Sequence, residues 1–89
     1  MARTLLLADE IDLPTTTGTA TSFAQATVVR LANPTDNDHV ITVVETQSGT
    51  GVGSMTLLAN TVEYLEKSHA HCVFSDSSSV LGAKVGFTA

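Results

Sequence analysis

Between Ala26 and Lys67 the chain reads ATVVRLAN, HVITVVETQ, VGSMTLLAN and TVEYLEK, cut by NPTDND, SGTG and AN. The long segments are rich in Val, Ile and Thr, whose branched Cβ suits a pleated surface. The short ones hold Asn, Asp, Pro and Gly, which bend the backbone through local side-chain bonds, a fixed φ or a free one. No segment sustains a 3.6-residue period. Short strands with turns about every ten residues predict an all-β chain, a small antiparallel β-sandwich or a partly open barrel of six to seven strands.

The flanks extend this pattern. Arg3 to Ala8 predicts a first strand, and Pro14, which has no N–H to donate, ends its pairing. Thr15 to Ser22 has no periodicity and reads as a loop or extended arm, about 30 Å long if ten such residues are stretched. The expected organisation is therefore a strand and extended N-terminal arm over 1–24 and a β-sandwich over 25–89. In His39–Gln47, Ile41 and Val43 share one face while Val40, Thr42 and Val44 share the other. Both faces are partly apolar, which predicts a central strand covered on both sides or nearly so. Ser48–Gly51 predicts a hairpin loop whose glycines are free to take positive φ. Thr61–Lys67 predicts an edge strand with Glu63, Glu66 and Lys67 in solvent, a short helix over 57–67 being the rival. His71–Ser75 and Leu81–Thr88 predict the closing strands, Gly82 and Gly86 marking a bulge or a close approach.

Charge narrows the function. The net charge is −5, and Arg3, Arg30, Lys67 and Lys84 are the only Lys and Arg residues. A phosphate backbone or anionic membrane needs clustered cations, so neither nucleic acid nor membrane is an expected partner. The acids Asp9, Glu10 and Asp12 interrupt the first apolar stretch too early for a signal peptide. One cysteine, Cys72, makes no intrachain disulfide and fits a reducing cytoplasm. A chain of 89 residues buries a modest core. Oligomerisation is a common remedy, so a homo-oligomer is expected. Fourteen threonines supply much of the polarity, and they cost less to desolvate than Lys or Glu.

Reactive constellations are sparse. His69-Ala70-His71-Cys72 is the sharpest: histidines at i and i+2 of a strand share a face, where Glu66, Cys72 or His39 would complete a metal site. The spacing lacks a recognisable third and fourth ligand, so His69 and His71 stay weak candidates. No metal and no cofactor is expected. Gly53-Ser54-Met55 does not match a nucleophile elbow. The acid pairs Asp9/Glu10 and Glu63/Glu66 have no aromatic cleft to hold a sugar. Gly49–Gly53 lacks the lysine of a phosphate loop, and Asp36-Asn37-Asp38 lacks the rest of a calcium loop. The expectation is a non-enzyme without catalytic residues.

One resemblance adds to this. Arg30–Asn33, a polar turn, Ile41–Val43, Gly53–Leu57, Leu65-Glu66-Lys67, Val73-Phe74 and Lys84–Thr88 together resemble the small β-sandwich virion proteins of tailed bacteriophages, cyanophages especially. The similarity covers about Val28 to Ala89; its motifs are loose and structural, and His69–Cys72 has no counterpart in it. It implies a capsid decoration, or cement, protein that sits on the virion's capsid surface after synthesis in the host cytoplasm. Such a protein is often a homotrimer, and it stabilises the shell by bridging neighbouring major capsid proteins. The arm and the turns at Asn33–Asp38 and Gln47–Gly51 would then make contacts, with Thr15, Thr16, Thr17, Phe23, Asn33, Asp36 and Asn37 as contact residues. The alternative is a tail or fibre module that binds a host surface ligand.

Overall fold

A computed structural model describes residues 3–88, which form eight strands in two antiparallel sheets. The strands are β1 (Arg3–Leu6), β2 (Ile11–Asp12), β3 (Val28–Asn33), β4 (His39–Val44), β5 (Gly51–Leu57), β6 (Thr61–Glu66), β7 (Cys72–Ser75) and β8 (Leu81–Thr88). The larger sheet has the order β1-β8-β3-β6, with β2 also on β8; the smaller has the order β5-β4-β7. The chain is thus an all-β sandwich. No helix appears over 57–67, because Thr61–Glu66 pairs along its whole length with β3.

Alternation writes the core. In β3, Val29, Leu31 and Asn33 are buried while Val28, Arg30 and Ala32 are half-buried. Val29 and Leu31 join Leu13, Phe23, Ala26, Ile41, Leu57, Val73 and Val80 in one cluster, with Val43, Met55 and Leu65 packed against it. Each such Leu, Ile or Val contributes about 1.5–3 kcal/mol on burial, an upper figure because the unfolded chain already hides some surface.

Residues 3–24, expected as a strand and extended arm, lie against the sandwich; Met1 and Ala2, where that arm begins, lie outside the described residues. β1 and β2 lie along the same side of β8. Their registers differ by two residues, and Ala8, Asp9 and Glu10 bulge between them. Leu13 is buried, and the Pro14 carbonyl accepts from Ser75 N–H at 2.9 Å. The chain then rounds the β7 edge. A 3₁₀ turn, Thr17–Thr19, leads to Thr21, which exchanges two backbone bonds with Val73 at 2.8 and 3.1 Å.

β4 is the central strand of the smaller sheet, as expected, and the strap covers part of its second face. Val44 is buried with Ala20 and Cys72, against half-buried Phe74, in a second small cluster. Val40, on the same strand, stays exposed. One end of the strand is therefore covered on both faces and the other on one. In the β4–β5 loop, Ser48 takes the positive φ (57°) and no glycine does.

Candidate interaction surface

The outward face of the larger sheet carries exposed apolar side chains. The β1–β8 register places Leu6 opposite Val85 and Thr4 opposite Phe87, and the β3 register places Arg30 opposite both Ala83 and Tyr64. Opposed residues in an antiparallel pair share a face. On this face Leu6, Tyr64 and Phe87 keep between 45% and 69% of their surface, while Leu5 and Leu7, also exposed, alternate to the opposite side of the sheet. β1 is exposed at every position, since nothing from the smaller sheet covers it. Contiguous apolar area of this kind is uncommon on soluble monomers and marks contact sites.

Polar groups frame this face. Arg30 Nη1 and Glu10 Oε2 form an ion pair at 3.1 Å. The Tyr64 hydroxyl lies 3.2 Å from Thr4 Oγ1, and its ring meets Phe87 edge-on, 5.2 Å between centroids. The Thr4 bond, opposed by partial burial and assisted by Arg30, holds the phenol below its usual value. Together with Leu6, Ala8, Asp9 and Ala83 these residues bound a groove of about 500 Å³. Thr4 pairs with Tyr64 and Arg30 with Glu10, and the apolar rim is suited to a protein surface.

The expected contact residues divide. Thr15, Thr16 and Thr17 are exposed, with Thr16 Oγ1 and Thr19 Oγ1 2.7 Å apart. Asp36 and Asn37 are exposed on the β3–β4 turn, Asp36 accepting from Asn60 Nδ2 at 3.3 Å. Phe23 and Asn33 are corrections: both are buried, so neither side chain is presented to a partner. Phe23 lies against Gly82, where an added Cβ would come within 2.6 Å of its ring. Asn33 ties the turn to the β5 end. Its Nδ2 donates to the carbonyls of Asn37 (2.8 Å), Leu57 (3.1 Å) and Leu58 (3.3 Å), while its Oδ1 accepts from Thr35 N–H (3.1 Å) and Oγ1 (2.7 Å).

His69 sits in the turn before β7 and is exposed, His71 just before β7 and half-buried; the strand geometry expected for them is not formed. His39, offered as a further ligand, instead places Nδ1 2.9 Å from Asp76 Oδ1. Among the described residues no three His, Cys, Asp or Glu side chains gather as a metal site would require. Cys72 is buried at the side of a shallow cleft of about 690 Å³ bounded by Thr19–Ser22, Gln25, Thr46, Gln47 and Ala70.

Sequence reasoning missed Lys67, read as a solvated edge cation. It is only 8% exposed. Its Nζ donates to the carbonyls of Ala26 (2.7 Å), Ser22 (3.0 Å) and Ser68 (3.3 Å). Ser22 and Ala26 bracket Phe23, Ala24 and Gln25, whose φ values are 54°, 53° and 60°. No propensity flags three consecutive left-handed residues at Phe-Ala-Gln, so nothing in the sequence announced their need for a cation.

Comparison with known proteins returns no matching family model, no matching curated protein and no matching solved structure.

Proposed function

We propose that this chain is a non-enzymatic structural protein that acts by protein–protein contact: a virion component that binds the assembled phage capsid as a homo-oligomer and stabilises it by bridging neighbouring major capsid proteins. The observation that carries the reading is the exposed apolar face of β1, β8 and β6, with Leu6, Tyr64 and Phe87 outward on regular strands. The resemblance to small virion β-sandwich proteins supplies the partner. The mechanism is passive. Each copy makes a contact of ordinary size, and several contacts per oligomer raise effective concentration, so that separating capsomers requires breaking many at once.

The test is copy number and rebinding. Quantitative mass spectrometry of purified particles should give a copy number comparable with the major capsid protein's, and purified protein should bind expanded capsids that lack it. A handful of copies per particle, or no binding to such capsids, rejects the reading; a few copies confined to the tail would favour the tail or fibre alternative.

A further inference from the structure

Charge is distributed unevenly over the outward face of the larger sheet. Tyr64, Arg30 and Ala83 lie in one row across β6, β3 and β8; Val62, Ala32, Leu81 and Asp12 lie in the next row, which reaches β2. Glu66 stands opposite Val28, two residues along from Tyr64 and Arg30. Paired residues share a face, and every second residue of a strand returns to it. Asp12 and Glu66 therefore stand on the same side as Leu6, Tyr64 and Phe87, exposed at the two borders of the sheet. Asp9 and Glu10 join them from the bulge between β1 and β2, where both bound the groove beside Tyr64.

The cations lie elsewhere. Of the four Lys and Arg side chains, Arg30 alone is on this face, and Glu10 holds it at 3.1 Å. Lys67 is buried beneath its carbonyls. Arg3 pairs with Thr88 and Lys84 with Val29, so alternation turns both to the other side of the sheet. Four carboxylates thus border an apolar centre that holds one guanidinium.

This pattern selects the occupant. A second copy laid face to face would set carboxylates against carboxylates. Docked by any other surface, it has only Arg3 and Lys84 to offer, and Lys84 already donates to the Ala24 carbonyl at 3.1 Å. Like charges brought together across a contact oppose it. A wholly apolar partner would strip water from the carboxylates and return nothing. A protein surface with an apolar centre and a basic border meets both demands. Leu6, Val62 and Phe87 take the centre, and Asp9, Asp12 and Glu66 take the border.

We propose that the outward face of the larger sheet docks a different protein, through a surface whose apolar centre is bordered by lysine or arginine. This rests on the contact role proposed above for the face, but not on the partner being a capsid.

Backbone-amide NMR of the full chain, titrated with short synthetic peptides to about 1 mM, a concentration suited to weak contacts, tests it. A peptide of alternating lysine and leucine should shift the amides of β1, β8 and β6, and its glutamate–leucine counterpart should not. Asp12→Asn with Glu66→Gln should weaken the lysine–leucine peptide about fivefold. Leu6→Ser should weaken it as well. Glu45→Gln with Glu63→Gln removes the same charge away from the face, since Glu45 follows β4 and Glu63 pairs with inward Leu31, and should leave binding unchanged. No shifts, shifts centred on other elements, equal binding of the glutamate peptide, equal loss from both double variants, or a wild-type oligomer that Leu6→Ser dissociates overturns the proposal. Expanded capsids separate the two readings. Rebinding that resists both about 0.5 M salt and the Asp12→Asn/Glu66→Gln changes overturns the basic partner and leaves the capsid reading standing. Failure to rebind beside a positive peptide titration rejects the capsid and keeps the basic partner.

Discussion

Lys67 holds one ammonium among three carbonyls from the turn before β3 and the turn after β6. Burial pushes its proton affinity below the usual 10.5, with Cys72 acting in the opposite direction. The unfolded chain therefore binds that proton more tightly than the folded one in the alkaline window just under 10.5, and the unfolding free energy should rise with pH through it. Tyr64, also lowered from its ordinary value, contributes with the same sign, so Tyr64→Phe is the right background. Urea titrations across that window should show the rise in the Tyr64→Phe protein and a smaller one when Lys67→Met is added. The same change leaves three carbonyls without their donor and should cost about 2–4 kcal/mol at neutral pH. An unchanged slope and midpoint would show that the clamp is incidental.

At the level of elements, the segment from Leu13 to Ala26 does what a strand would not. It buries Leu13, Ala20, Phe23 and Ala26, closes the β7 edge, and turns through three residues of left-handed φ. Such residues cost roughly 1–2 kcal/mol each, except at glycine. The turn is closed by Ala26 N–H, which reaches the carbonyls of Ser22 (3.1 Å) and Phe23 (3.2 Å), and Lys84 Nζ holds the Ala24 carbonyl at 3.1 Å. Two substitutions separate its strain from its packing. Ala24→Gly removes strain at an exposed site and should stabilise by about 0.5–1 kcal/mol. Gly82→Ala drives a methyl into the Phe23 ring and Leu13, and should destabilise by about 1–3 kcal/mol. Both read out as shifts of the denaturation midpoint at constant slope, and a neutral Gly82→Ala would mean that Phe23 moves aside freely.

For the whole molecule, stability and partner binding should separate. Leu6 is 69% exposed, so Leu6→Asp should change unfolding free energy by no more than about 0.5 kcal/mol. Rebinding to capsids that lack the protein should fall sharply in the same variant, and rebinding at wild-type strength would move the capsid contact elsewhere. Strand periodicity and turn chemistry are local, and so the sequence by itself determined an all-β chain, sandwich or partly open barrel, the strands from Val28 to Thr88 and the Asn33–Asp38 turn. It did not determine which polar residues are buried. Asn33 and Lys67 resemble their solvated neighbours until distant carbonyls converge on them, and Phe23 looked available because its cover comes from β8, some sixty residues away. Nor did it determine the surfaces. The Leu5–Leu7 run is apolar in sequence, yet Leu6 faces outward and the greater width of its sheet leaves Leu5 and Leu7 in water as well.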